Sequence, residues 1–290
     1  MTLTMLNAIR SGAAIVLAGL LGACASSRIP REAVAASNPE ALAVLTASQR
    51  AHGAAAFATI RDLNLRSAGT WSTLGSRSQP VLADRRYRRE SEEALDLTTG
   101  TTVHLHKGPG GRKFVFRAPG RVTVWYNGQP DGREEVKRAA ALVADAEKMF
   151  LLGPLYFDRP GVMLSALEPA PVNGSECDRV LAVLRPGFGF ADEDRVVLSI
   201  DRQNQRLRRV LMTLNGLKKA KGAELEVTFG NWAQRSGVWW ATEYNERFPS
   251  MLKLHAHRWK LLDLKANRGF TPRHPELLGE VLGEVAGQVR

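Results

Sequence analysis

Cysteine is scarce in this chain. Only Cys24 and Cys177 occur among its 290 residues, which indicates no disulfide framework. Cys177 stands in the stretch ECDRVLAVLR, which has the pattern of a strand, and no histidine lies near it in the arrangement of an activated nucleophile. We therefore expect Cys177 to be a buried and inert thiol.

The apolar segment near the N-terminus is too short to cross a membrane. The run Ala13–Ala23 has eleven small or apolar residues and follows Arg10. At ~1.5 Å per residue, a helix of this length covers about 17 Å of a hydrocarbon core that is ~30 Å thick. This length is typical of the h-region of a signal peptide.

Familiar catalytic motifs are missing as well. The sequence has neither a Gly-x-Ser-x-Gly nucleophile elbow nor a His-Glu-x-x-His motif. Its paired acids, Glu92 with Glu93 and Glu134 with Glu135, are neighbours whose side chains point apart on a strand or helix. We expect no enzyme activity and no cofactor, with an enzyme of unfamiliar type as the alternative.

Positive charge, by contrast, is abundant. The chain has 40 Lys and Arg against 29 Asp and Glu, a net charge of +11, which favours anionic partners. For an exported chain we expect an anionic membrane leaflet and no nucleic acid, with ordinary solvated strand faces as the alternative. The densest basic patches contain Arg85, Arg86, Arg88, Arg89, Arg206, Arg208 and Arg209.

The end of the N-terminal run resembles a bacterial lipobox. Leu21-Gly22-Ala23 precedes Cys24, and the resemblance implies a signal peptide over residues 1–23 and a diacylglyceryl group on Cys24. Acyl chains on Cys24 would hold the chain on a membrane, with residues 24–37 as a tether. Ala25, where an aspartate would signal retention, implies the outer membrane, with the protein facing the periplasm. The oligomeric state stays open.

The first part of the remaining chain reads as one helix followed by strands. Asn38-Pro39-Glu40 has the pattern of a helix start, and the helix is predicted to end near Ala54. From Thr59 to Gly128 the apolar residues recur with a period of two, which is typical of strands. The predicted strands are ATIRDLNLRS, VLADRRYRRESEEALDL, TTVHLHK, RKFVFRA and RVTVWYNG.

A second helix interrupts the strands. Its apolar stripe predicts a helix from Asp131 to about Leu152, which Gly153-Pro154 ends. Strands then continue to about Asn267, and Pro275 opens a last amphipathic helix with Leu278, Val281, Leu282 and Val285 aligned. We expect one domain over residues 38–290. It is mainly β with α: an incomplete, open antiparallel β-barrel of about 11 strands wrapped around inserted helices.

These segments resemble the periplasmic lipoprotein-carrier superfamily of LolA-like and LolB-like proteins. The resemblance rests on RVTVWYNGQPDG before the inserted helix, on the hairpin VLSIDRQNQRLRRVLMTL and on AELEVTFGNWAQRSGVWWATEY. It implies a half-barrel with an apolar cavity for acyl chains, and hence a protein that binds or transfers a hydrophobic ligand such as a lipid or a lipoprotein acyl chain. The lipobox places such a chain nearer the acceptor than the soluble carrier. The alternative is a structural or envelope-assembly lipoprotein that grips a protein partner through the sheet.

Strands that are apolar on both faces supply the candidate ligand contacts. We expect the helix from Asp131 to act as a gate or plug. Which strand face lines the cavity stays open, and so does the alternative that the aromatic side chains only fill the core of the barrel. The candidates for the cavity wall are Phe114, Phe116, Trp125, Trp239, Trp240, Val143 and Phe150.

Two His-x-His pairs are the best metal candidates. His104 with His106, and His255 with His257, each put two imidazoles on one face of a strand. The sequence specifies no acidic ligand beside them, and we expect no metal; solvated outer strand faces are the favoured explanation of both pairs.

Overall fold

A computed structural model of the chain describes residues 28–249 and 254–270. The predicted signal peptide, the predicted lipidation site Cys24 and the helix predicted from Pro275 lie outside these residues. The chain divides into two compact units, residues 1–32 and 33–290, and the description below concerns the second. In the described part of the chain, no helix has the length and apolar character needed to cross a membrane.

The described helices are mostly short. The α-helices are α1 (Pro39–His52), α2 (Ala54–Phe57), α3 (Thr73–Ser78), α4 (Pro80–Ala83) and α5 (Glu134–Leu152). Two 3-10 helices cover Gly153–Phe157 and Lys218–Ala220. Asn38 caps α1 by accepting a hydrogen bond from the amide of Ala41 at 2.8 Å, as its place before Pro39 predicts. Gly53 ends α1 in a left-handed conformation, φ 96°, which favours glycine.

The described part of the chain contains thirteen strands. They are β1 (Asp62–Trp71), β2 (Glu90–Asp96), β3 (Thr102–Gly108), β4 (Gly111–Ala118), β5 (Arg121–Tyr126), β6 (Gln129–Pro130), β7 (Val162–Leu167), β8 (Cys177–Leu184), β9 (Asp194–Asp201), β10 (Leu207–Thr213), β11 (Glu224–Arg235), β12 (Val238–Phe248) and β13 (Leu254–Ala266).

All thirteen strands belong to one antiparallel sheet that is not closed. Its order is β6-β5-β4-β3-β2-β1-β13-β12-β11-β10-β9-β8-β7, so two meanders meet where β1 pairs with β13. The edge strands β6 and β7 are neighbours in sequence, and α5 joins them. This confirms the expected open antiparallel sheet with inserted helices, with 13 strands in place of about 11.

One predicted strand is wrong over half of its length. The segment 81–97 was expected to be a single strand, but Pro80 opens α4 and the chain turns before β2 begins at Glu90. Proline at the first helical position costs no hydrogen bond, and the period-two pattern does not reveal this start.

Helix α5 defines the inner face of the sheet, by which we mean the face that it contacts. Val115 of β4 and Val124 of β5 pack on this face against Val136 and Ala140 of α5. A larger cluster of buried side chains joins α1, α5 and strands from both meanders. The hydrophobic core therefore lies between the inner face and the helices.

Candidate functional site

A small apolar cavity lies between α5 and the sheet. Its volume is about 50 Å³. Val143, Ala146 and Phe150 line it from α5, spaced three and four residues apart so that they share one helix face. Leu225 and Phe248 line it from β11 and β12.

The structure separates the predicted wall residues into two groups. Val143 and Phe150 line the cavity, and Phe150 makes an edge-to-face contact with Phe229. Trp240 is 1% exposed in the same core. Trp239 points the other way and carries the guanidinium of Arg206 over its ring, 3.9 Å from the ring centre.

Phe114, Phe116 and Trp125 form a separate cluster on the opposite face of the sheet. Their strand neighbours Val115 and Val124 face α5, and alternate residues of a strand point to opposite sides. The three aromatic side chains are buried with Val103, and Phe270 packs against them. They line no part of the cavity beneath α5.

Next to the cavity, the inner face carries ionisable side chains that are buried or nearly buried, which we call the polar belt; two of them also line the cavity. Its members are Arg88, Glu93, His104, His106, Lys113 and Glu147. Register explains the grouping, because Glu93 of β2 lies directly opposite His104 of β3 and Ser91 opposite His106. Glu147 approaches the same point from the side of α5. His104 Nδ1 is 3.5 Å from a carboxylate oxygen of Glu93 and 3.5 Å from a carboxylate oxygen of Glu147.

Hydrogen bonds hold most members of the belt. Arg88 donates to Glu147 Oε1 at 2.5 Å and to the carbonyl of Leu82 at 2.7 Å. His106 Nδ1 contacts the hydroxyl of Ser91 at 2.7 Å. Lys113 donates to Asp84 at 2.7 Å, and Asp84 also accepts from Tyr126.

Burial controls the protonation of the belt. It raises the pKa of Glu93 to about 8, with the neighbouring charge of Glu147 adding to the effect. It lowers the pKa of His104 to about 4, helped by the positive charges of Arg88 and Lys113. The pKa of His106 lies well below its usual value for the same reason. Both histidines are therefore neutral at pH 7.

The four histidines of the two His-x-His pairs do not form one site. His104 and His106 lie on β3 while His255 and His257 lie on β13, and β2 and β1 stand between these strands. The expectation of solvated outer faces is wrong for His104, His106 and His257, which are 2–4% exposed. They belong to the inner face, because their strand partners also face α5.

His257 forms its own buried group. It stacks on Trp71 with ring centres 4.1 Å apart, and its Nδ1 lies 3.1 Å from Glu246 Oε1. Trp259 donates to the same oxygen at 2.8 Å. Burial opposes the charge of Glu246, but His257 and Arg88 bring its pKa below the usual value.

A second ion pair fastens α5 to the sheet. Arg117 of β4 makes two hydrogen bonds to the carboxylate of Asp145, at 3.2 and 2.8 Å. The amide of Gly189 donates to the same carboxylate at 2.9 Å, and Arg117 donates to the carbonyl of Gly189 at 3.0 Å. Helix, sheet and the loop after β8 thus share one buried network.

The acidic members of these networks were not among the predicted site residues. Charged residues surround Glu93 in the sequence, but its period-two spacing from Leu95 places it in the apolar phase of β2. Glu147 stands four residues after Val143 and three before Phe150, inside the apolar stripe of α5. A charged residue within an apolar stripe was the available signal.

The comparisons with known proteins concern the fold. No family model matches the sequence, and no curated protein matches it. A DUF1329-family protein from Desulfovibrio piger superposes with a TM-score of 0.50 at 12% identity, over 81% of this chain and 96% of its own. A LolA-superfamily protein from Nitrosomonas europaea gives a TM-score of 0.51 at 9% identity, over 81% and 98%.

These structures define the class to which the fold belongs. The open antiparallel sheet of this chain and its helices superpose on the LolA-superfamily protein over 81% of the chain, which is a similarity of fold. The chain therefore has the LolA-like fold that its sequence motifs resemble.

Proposed function

We propose that the chain is an outer-membrane-anchored lipoprotein that binds or transfers an acyl-chain ligand beneath α5. The observation that carries this proposal is the apolar cavity between one helix and the inner face of an open sheet. Val143, Ala146 and Phe150 are its contacts on the helix side. The role requires binding and release but no reaction chemistry.

The size of the cavity requires α5 to move when a ligand enters. Sites for small ligands occupy about 300–1,000 Å³, and the cavity measures about 50 Å³. An acyl chain therefore fits only after the helix or its neighbours are displaced. Because α5 joins the two edge strands, it can shift without breaking a strand pair of the sheet.

Polar contacts hold α5 in the closed position. Asp145 is bound to Arg117 and Glu147 to Arg88, and Lys148 donates to the carbonyl of Gly100 at 3.2 Å. Separating a buried ion pair without replacing it costs several kcal/mol. Opening thus needs a compensating gain, which burial of an acyl chain supplies at about 0.8 kcal/mol per CH₂.

Lipid binding is tested with the full chain purified in a mild detergent. We expect native mass spectrometry to show bound fatty acid or phospholipid, and a fluorescent fatty acid to bind. Ala146→Met fills the cavity and should weaken fatty-acid binding at least tenfold. Lys137→Met on the same helix lies outside the cavity lining and serves as the matched control.

Thermal unfolding of each variant shows whether it is folded. Equal fatty-acid binding by wild type and Ala146→Met would contradict the position of the site beneath α5. A folded wild-type chain that carries no lipid and binds no fatty acid would contradict the proposal as a whole.

The alternative is a structural or envelope-assembly lipoprotein that grips a protein partner through its sheet. The small volume of the cavity favours this alternative. A protein that binds its partner through the sheet needs no internal space for a ligand, and side chains can fill its core. Absence of lipid from the folded full chain is the result expected for it.

A further inference from the structure

Three side chains of the polar belt converge on one point between α5 and the sheet. We propose that Glu93, His104 and Glu147 bind one divalent transition-metal ion of the zinc class. The three residues come from β2, β3 and α5. A bound ion would therefore link the helix to two strands. Binding of this ion would not depend on lipid binding.

The distances suit tetrahedral coordination. Zinc lies about 2.0–2.2 Å from nitrogen and carboxylate oxygen ligands, which places neighbouring ligand atoms about 3.4 Å apart. His104 Nδ1 is 3.5 Å from Glu93 Oε2 and 3.5 Å from Glu147 Oε2. One ligand atom from each residue lies within 4.8 Å of the other two. A small inward shift completes three corners of a tetrahedron.

Two of the three ligand atoms are buried without a hydrogen-bond partner. These are Nδ1 of His104 and Oε2 of Glu147. The His104 side chain is 2% exposed, and a buried polar atom left unpaired costs about 1–3 kcal/mol. Coordination of a metal ion satisfies both atoms at once.

The contacts around the ligands are those that orient metal-binding groups. His104 Nε2 lies 3.3 Å from the hydroxyl of Thr102, which leaves Nδ1 to offer its lone pair to an ion. Arg88 holds the other oxygen of Glu147 at 2.5 Å. Ser67 donates to the other oxygen of Glu93 at 3.3 Å. Each ligand is thus positioned through its second polar atom.

A void beside these three side chains has room for a fourth metal ligand. It measures about 10 Å³ and is lined by both Glu93 and Glu147, which is about the space that one water molecule occupies. Three protein ligands and one water is a common arrangement for zinc. One imidazole and two carboxylates also suit Mn²⁺ and Co²⁺, so a cobalt probe can report on the same site.

Metal binding is measured on the full chain after removal of bound ions with a chelator. We expect Zn²⁺ alone to bind at one ion per chain and to raise the midpoint of thermal unfolding. Co²⁺ alone should give the visible absorption of a tetrahedral site. Glu93→Gln and His104→Gln should each weaken zinc binding at least tenfold and remove the thermal shift.

His106→Gln is the matched control. His106 is buried on the same face of β3 two residues from His104, but it supplies no ligand and should leave zinc binding intact. Glutamine at position 93 keeps the size and shape of the glutamate side chain, so the Glu93→Gln chain should fold even if His104→Gln does not. No zinc uptake by the wild type, zinc binding unchanged in Glu93→Gln, or equal loss in His106→Gln would each overturn the proposal.

Discussion

At the scale of single residues, His52 shows how burial makes stability depend on pH. It lies on α1, is 2% exposed and makes an edge-to-face contact with Trp232. Its Nδ1 donates to the carbonyl of Ser48 at 2.8 Å, while Nε2 has no partner. Burial, aided by the charge of Arg206, lowers its pKa to about 4.

This pKa predicts a loss of stability in acid. The unfolded chain binds the proton near pH 6.5 and the folded chain only near pH 4, so the unfolded state gains protons first as the pH falls. The contribution is complete above pH 6.5 and is lost between pH 6.5 and 4, by up to about 3 kcal/mol. Urea unfolding of wild type and His52→Gln between pH 7.5 and 4.5 measures it. If the difference between the two chains stays constant over this range, the prediction is wrong.

At the scale of elements, α5 is held by contacts that the helix pattern alone does not show. The predicted start at Asp131 differs from the observed Glu134, because Asp131 accepts a hydrogen bond from the amide of Arg133 at 2.9 Å in the preceding turn. The buried stripe was recognisable from Val136 to Phe150. Asp145 of the same helix, although charged, is also buried, against Arg117.

Loss of the Asp145 carboxylate charge should destabilise the chain. Asp145→Asn leaves the buried guanidinium of Arg117 without its counter-charge, and we expect the free energy of unfolding to fall by about 3–5 kcal/mol. Chemical denaturation measures the change. Glu134→Gln is the control, because its partner Arg138 forms an exposed pair within the same helix and should cost about 0.5 kcal/mol or less. Equal effects of the two substitutions would show that the buried pair contributes nothing special.

For the strands, too, the sequence pattern predicts where they lie in the chain but not which of their faces lies inside. Alternation identified β3, β4 and β5, which follow one another directly in the chain and pair with their sequence neighbours. It did not reveal which face is inside for Phe114, Phe116 and Trp125, because both faces are apolar. Only the contact of Val115 and Val124 with α5 decides this.

At the scale of the whole molecule, the N-terminal sequence predicts attachment to a membrane through Cys24. We expect Cys24→Ala to abolish incorporation of a labelled fatty acid and to move the chain from the membrane fraction to the soluble fraction. Cys177→Ala is the matched control, because Cys177 is a fully buried free thiol on β8, with a pKa raised by burial. Label that persists in Cys24→Ala, or that disappears in Cys177→Ala, would contradict lipidation at Cys24.

The interior of the protein forms only when strands that are far apart in the sequence pair with each other. Gly69 of β1 lies opposite Trp259 of β13, nearly two hundred residues later in the chain, and an added Cβ on Gly69 would contact the Trp259 side chain. The polar belt and the cavity flank this junction. The cavity therefore needs residues from both meanders and from α5, whereas the polar belt needs residues from the first meander and from α5.

Interactions between residues close together in the sequence determine many of the helices and strands, so these elements can be predicted from the sequence alone. Caps, periodicity and turn residues predict α1, α5 and most strands, because these depend on neighbours within a few residues. The tertiary structure alone decided the volume of the cavity, the faces of the aromatic strands and the meeting of Glu93, His104 and Glu147. The register of the strands and the docking of α5 determine which side chains come together when they are far apart in sequence. The free-energy cost of burying them arises only once the sheet and α5 enclose them.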